Sequence, residues 1–237
     1  MVGKIIHNTR FNFPPLNVNP EGDVIVIDKP VGCTSFDVVN KIKNQLRHTF
    51  NKKIKVGHAG TLDPLASGVL IVCIGAFTKK IDQYQAAEKE YTGTFQMGAT
   101  TPGFDKEKPV DEVFPYEHIT LALAQQAAAS FLGEIEQVPP LYSAVRIDGK
   151  RAFHYAREGT EVALTSKKIT ISTFDLTRFD LPEIDFSIVC SKGTYIRSIA
   201  RDFGLFLDSG AHLAALRRTR IGEFQVKDAL KIIEQKA

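Results

Sequence analysis

Apolar residues recur along the chain in short blocks whose spacing shifts between two and three-to-four, so strands and helices are mixed. Val24 to Ile27 reads as a short apolar strand that stops at Asp28-Lys29-Pro30. Thr34 or Ser35 can then cap a helix with Phe36, Val39, Ile42 and Leu46 on one buried face. Val69 to Ile74 is an unbroken apolar run, as in a buried strand, and Thr78 to Ala87 follows as a short helix. Tyr91, Gly93, Phe95 and Met97 alternate with Thr92, Thr94 and Gln96, the pattern of a half-buried strand. Thr100 to Phe114 mixes glycine, proline and charges and is predicted as a surface loop.

The alanine-rich run Ile119 to Leu132 predicts a helix ended by Gly133. Pro139-Pro140 breaks that pattern, and Tyr142 to Lys150 reads as an irregular or hairpin-like insertion. Arg151 to Glu158 is expected as a short helix closed by Gly159. Strands follow at Lys168 to Phe179 and Ile184 to Cys190. Gly193-Thr194 opens a helix with Ile196, Ile199, Ala200 and Phe203 inward. Leu213 to Leu216 and Glu223 to Val226 are expected as edge strands, and Lys227 to Gln235 as a closing helix. There is no regular βαβ repeat and no GxGxxG or Walker loop, so the pattern predicts an α+β fold with a mostly antiparallel sheet.

Composition narrows the class more than the chemistry. With 237 residues, 43% hydrophobic and 24% charged, the chain can bury a sizeable core and is not of disordered type. Its net charge of +3 is too mild to announce a polyanion. The basic residues are clustered instead: Lys52, Lys53 and Lys55; Lys79 and Lys80; Lys150 and Arg151; Lys167 and Lys168; Arg217, Arg218 and Arg220. Such clusters can join into one phosphate-binding face, while any single pair reads equally as solvated surface. Cys33, Cys73 and Cys190 show no metal-ligand or disulfide spacing, and Cys73 and Cys190 read as small core hydrophobes. Residues 1–19 carry no apolar signal core, and no run is long enough to span a membrane, so a cytoplasmic protein is expected.

Candidate chemistry concentrates in one segment. Gly57-His58-Ala59-Gly60-Thr61-Leu62-Asp63-Pro64-Leu65-Ala66-Ser67-Gly68 sets one carboxylate in a glycine-rich turn directly ahead of the buried strand. Glycines let the backbone approach a ligand closely, and Pro64 holds Asp63 off the helical region. On local chemistry alone, Asp-Pro is also an ordinary turn dipeptide.

The segment from Lys55 to Leu70 resembles the signature of the TruB family of tRNA pseudouridine synthases. Further stretches agree in the family's order: Asp28-Lys29-Pro30-Val31-Gly32-Cys33-Thr34-Ser35, Lys89-Glu90-Tyr91, Pro139-Pro140-Leu141-Tyr142-Ser143-Ala144, Ser191-Lys192-Gly193-Thr194-Tyr195-Ile196-Arg197, and Leu216 to Gly222. Together they run from about Val24 to Phe224. The resemblance implies the pseudouridine-synthase core, with a mixed central sheet flanked by helices, and conversion of uridine to pseudouridine in the tRNA T-loop at position 55. It implies Asp63 as the catalytic carboxylate, Arg197 as its cationic partner, and Tyr91 as the aromatic that stacks on the uracil. His58 is implied as the wedge that fills the space of the extruded base. A lone histidine in a turn, an arginine on a helix and a tyrosine on a strand are each more often structural.

The insertion at about 138–158, with Tyr142, Arg146, Lys150, Arg151 and His154, resembles the family's thumb-like segment that closes over the RNA loop. Basic and aromatic residues mix there as RNA recognition requires. Tyr195 belongs to the same set of expected RNA-binding residues, and so does Lys29 as a candidate phosphate ligand. Isomerisation transfers neither electrons nor phosphate, so no cofactor and no metal are expected. Longer family members carry a PUA domain after the core. The expectation here is an N-terminal extension at 1–22 and one catalytic domain at 23–237 without it. A monomer acting on the tRNA T-arm loop, with no obligatory protein partner and no membrane, completes the picture. The alternatives are a non-catalytic tRNA-folding chaperone, a relative with another RNA target, and a glycosidase. The last would need a second carboxylate across the cleft, and no sequence feature identifies one.

Overall fold

Pro30 cannot donate to a sheet ladder, and strand β1 (Gly22–Lys29) ends just before it. Helix α1 (Ser35–Phe50) begins at a capping box: the Asp37 amide donates to Thr34 Oγ1, and the Asp37 carboxylate accepts from the Thr34 amide. Ser35, Val38, Val39, Ile42 and Leu46 form its buried face. Phe36, expected on that face, is 65% exposed. It lies six residues before Ile42, about 120° round the helix from it. Next come β2 (Val56–His58), β3 (Ala66–Gly75), a 3₁₀ turn at Ala76–Lys80, α2 (Ile81–Ala86) and β4 (Lys89–Met97). Helix α3 (Leu121–Ser130) starts at Thr120, whose Oγ1 accepts from the Leu123 amide, and Gly133 turns the chain into β5 (Gly133–Gln137). The remaining long elements are β6 (Lys167–Asp180), β7 (Glu183–Cys190), α4 (Ile196–Phe206) and β8 (Ala211–Ile221).

The computed structural model describes residues 11–143, 145–147, 150–152, 155, 162 and 164–234. The helix predicted for 151–158 falls mainly outside them, as does His154. None of the described helices is long and apolar enough to cross a membrane.

The chain divides into two units, one from residues 3–91 and 216–237 and the other from 92–215. In the first, β3 pairs along one edge with β1, from Gly22↔Gly75 to Lys29↔Gly68. Its other edge is shared: β2 pairs antiparallel with Val72 to Ile74, and Leu216 to Arg218 of β8 pair parallel with Ala66 to Gly68. Leu230–Lys231 adds a parallel strand beside β1, and Phe11–Asn12 pairs with Ile233–Glu234. The C-terminal helix predicted for 227–235 is therefore, over its described part, a 3₁₀ turn and two short strands. Leu230 and Ile232 turn into the core instead of lining a helix face. Phe11 and Phe13 join that core beside Val38, Ile42 and Leu46, so part of the predicted extension is structural.

In the second unit β6 and β7 form a long hairpin, and β5 pairs with the start of β6. Phe95 stacks on Phe186 at 4.2 Å and packs against Phe203 of α4 at 5.3 Å. Ile196, Ile199, Ala200 and Phe203 are buried, as their spacing predicts. The predicted insertion, read as irregular or hairpin-like, contains the antiparallel strand pair Arg146–Ile147 and Lys150–Arg151. Mixed strand directions and flanking helices make the fold α+β. Leu213 to Leu216 proves to be part of an eleven-residue inner strand, not an edge. The arginines at 217, 218 and 220 interrupt its apolar alternation and hide it from a periodicity reading.

Candidate active site

Asp63 sits on the loop between β2 and β3, half-buried, in a turn closed by the Ala66 amide donating to the Asp63 carbonyl at 3.1 Å. Both of its chain neighbours are fastened, Pro64 to the loop that follows β1 and Leu62 to the start of α1. The Gly32 amide donates to the Pro64 carbonyl at 2.8 Å, and Ser35 Oγ bonds both backbone groups of Leu62. The Ala59 amide donates to the Ile71 carbonyl at 2.9 Å, which ties the loop's other end to β3. The loop is thus held on each side of the carboxylate, and its glycines serve that path. Gly60 has φ +98° and Gly68 φ +104°, and a Cβ at Gly68 would lie 2.1 Å from the Arg218 carbonyl oxygen.

Two buried cations underlie this loop. Lys29 is fully buried, and its Nζ donates to the carbonyls of Pro30 at 2.9 Å and Cys33 at 2.8 Å. Lys29, expected as a phosphate ligand, is thus buried, with Nζ bonded to two carbonyls of the loop that follows β1. Burial pushes the Lys29 ammonium down to about 8, while the nearby Cys33 and Asp63 charges pull the other way. Arg218 is 1% exposed and donates to carbonyls at 60, 61 and 69. Arg217 donates to Asp28 at 2.7 Å and to Ser67, and Arg220 to Glu88 and Glu90 at 3.0 Å each. The basic run in β8 is therefore engaged within its own unit, and a free phosphate face there is not what folding produces.

His58 ends β2, and among the described residues its buried Nδ1 has no hydrogen-bond partner. Burial, then the Arg218 charge, holds this imidazole below its ordinary range, so it favours the neutral form. Tyr91 lies on β4, 8% exposed.

In the second unit Arg197, near the start of α4, is 5% exposed. Its guanidinium donates to the Gly103 carbonyl at 3.1 Å and the Tyr142 carbonyl at 3.0 Å, and its Nε stands 3.7 Å from Asp105 Oδ2. Asp105 is itself buried, in the stretch predicted as a surface loop. A turn with Phe104 at φ +59° carries it inward, and Thr101 Oγ1 donates to its carbonyl. Nothing in the local sequence marks Asp105; only the partner arginine far along the chain reveals it. The backbone of Tyr195 is clamped by Gln137, which accepts from its amide at 2.8 Å and donates to its carbonyl at 3.1 Å. That fixes where α4 begins. Arg146 and Arg151 are paired in register on the short hairpin, as are Ile147 and Lys150.

The first unit thus gathers Lys29, His58, Asp63 and Tyr91, and the second holds Tyr142, Tyr195, Arg197 and the hairpin. Within the first unit a half-buried, loop-mounted carboxylate lies near buried cations, and within the second a buried arginine stands beside a buried carboxylate.

Residues 47–196 match the TruB family pseudouridylate synthase N-terminal domain, and residues 197–235 match the tRNA pseudouridylate synthase B C-terminal domain. The chain is 54% identical over 214 residues to the tRNA pseudouridine synthase B of Flavobacterium johnsoniae, covering 90% of this chain and 93% of that one. It is 53% identical over 213 residues to that of Phocaeicola vulgatus, covering 90% and 91%. Among solved structures it resembles a chain of a Cbf5–Nop10–Gar1 complex, with 28% identity and a TM-score of 0.66. That likeness covers 93% of this chain and 56% of the longer one. The chain belongs to the TruB family of pseudouridylate synthases.

Proposed function

We propose that this isomerase converts uridine to pseudouridine in the T-loop of tRNA, at position 55, with Asp63 as the catalytic carboxylate. The observation that carries this reading is the clamped Asp63 loop. The backbone on either side of the carboxylate is bonded to the loop after β1 and to the start of α1, which preorganises it before substrate binds. The relatives named above supply the substrate class.

The reaction breaks the C1′–N1 bond, turns the detached uracil and joins C1′ to C5. The C5 proton leaves and N1 gains one, so atoms balance without an oxidant or co-reactant. Asp63 acts at the ribose, as nucleophile or as abstracting base. Arg197 is the cation that offsets its charge. Its own geometry is set by Asp105 and two carbonyls, so it is presented as a fixed group. Tyr91 stacks on the extruded base, an interaction worth roughly 1–3 kcal/mol. Extrusion itself costs a few kcal/mol, which His58 offsets by occupying the vacated stack. A neutral His58 enters that space with little desolvation cost, in keeping with the burial that disfavours its charge. Tyr142, Tyr195, Arg146, Lys150 and Arg151 contact the RNA loop.

The test is to map pseudouridine at single-nucleotide resolution on an unmodified tRNA transcript after incubation with the purified protein. Product confined to the T-loop uridine supports the assignment. Product at another uridine overturns the site, and its absence despite tRNA binding overturns the reaction.

A further inference from the structure

Strand β8 delivers Arg218 beneath the Asp63 loop by parallel pairing, with Arg218 opposite Gly68. Its side chain, 1% exposed, then spends its donors on both ends of that loop. Nε donates to the Val69 carbonyl at 2.8 Å, after Asp63 in the chain. The two terminal nitrogens donate to the Gly60 carbonyl at 3.0 Å and the Thr61 carbonyl at 3.4 Å, before it. One rigid, planar, permanently charged group therefore spans the loop's two stems and fixes their separation.

One glycine beyond Asp63 is fitted closely to the same residue. At Gly68 the left-handed backbone passes so close to the Arg218 main chain that a Cβ would meet its carbonyl oxygen and amide at 2.1 and 2.8 Å. At Gly60, also left-handed, the nearest atom to a Cβ would be Arg218 Nη1 at 3.6 Å. Gly68 is thus fitted to the Arg218 backbone, while a Cβ at Gly60 would meet its guanidinium in ordinary van der Waals contact; the neighbours in β8, Arg217 and Arg220, bond carboxylates instead.

We infer that Arg218 is a positioning residue for Asp63: its guanidinium sets the loop geometry that aims the carboxylate, and it takes no part in holding RNA. The inference rests on Asp63 being the catalytic carboxylate. A lysine keeps the charge at this position but offers one compact ammonium that cannot span both stems. A displacement of about 1 Å at a catalytic group costs on the order of a hundredfold in rate.

The test compares wild type, Arg218→Lys, Arg218→Gln and Asp63→Asn by thermal unfolding, tRNA binding and single-turnover pseudouridine formation. Arg218→Lys is expected to remain folded, bind tRNA as wild type does, and lose about a hundredfold in single-turnover rate. Arg218→Gln should lose rate further and also melt earlier. Arg218→Lys that is folded and fully active overturns the inference. So does a rate loss that higher tRNA concentration restores, since Arg218 would then serve binding. Turnover retained by Asp63→Asn would instead overturn the catalytic role of Asp63, which separates the two failures.

Discussion

Ser35 and Leu62 exchange two hydrogen bonds: the Leu62 amide donates to Ser35 Oγ at 2.9 Å, and Ser35 Oγ donates to the Leu62 carbonyl at 3.1 Å. One hydroxyl at the start of α1 thereby satisfies both backbone groups of the residue before Asp63. Both residues are buried, so water cannot replace the bonds. Ser35→Ala should cost about 1–3 kcal/mol of stability. It should also slow single-turnover catalysis while leaving tRNA affinity unchanged. Denaturant unfolding beside rapid-quench kinetics checks both.

Lys29 gives a pH signature. Folded Lys29 releases its proton near 8, while the unfolded chain holds it to about 10.5. Between those values the unfolded state binds more protons, so this group's contribution to stability rises with pH. Lys29→Met should lack that rise. Cys73, whose thiol burial raises to about 11, acts in the opposite sense in both proteins and cancels in the comparison. Urea unfolding at a series of pH values from about 7.5 to 10.5, spanning the two proton affinities, measures the difference. Equal slopes would mean that Lys29 is not buried as a cation.

Asp105 predicts a loss at Arg197. Asp105→Asn leaves the buried guanidinium facing a neutral amide, and breaking a buried pair costs about 3–5 kcal/mol. Melting temperature and single-turnover rate should both fall, with tRNA affinity retained. An unaltered rate in a protein that melts earlier would restrict Asp105 to stability.

The hairpin residues predict a salt effect. Replacing Lys150 and Arg151 by alanine should weaken binding to any tRNA. It should also flatten the dependence of log K on log salt, by about 0.7 for each phosphate no longer neutralised. Fluorescence titration across a salt series reads the slope, and an unchanged slope would take both side chains off the RNA.

Much of this was legible before folding. A cap at Thr34 or Ser35, the inward face of α4 and the strands that become β6 and β7 all follow from local spacing and capping chemistry, whereas Arg151, expected in a helix, lies in a strand. The resemblance located the Asp63 loop. What stayed hidden is the destination of cations and carboxylates. Lys29 and Arg218 read as surface charge because the carbonyls that satisfy them belong to backbone that only the tertiary fold brings near. Asp105 reads as part of a polar loop because its partner stands far along the chain at Arg197. Periodicity reports polarity; it does not report whether a polar group has found a buried partner.

The most direct measurement is single-turnover pseudouridine formation by Asp63→Asn on an unmodified tRNA transcript, with binding and melting temperature measured on the same protein. The expected result is a folded variant that binds tRNA as wild type does and forms no pseudouridine. A variant that still forms product at the T-loop uridine, or one that loses binding along with activity, would contradict Asp63 as the catalytic carboxylate.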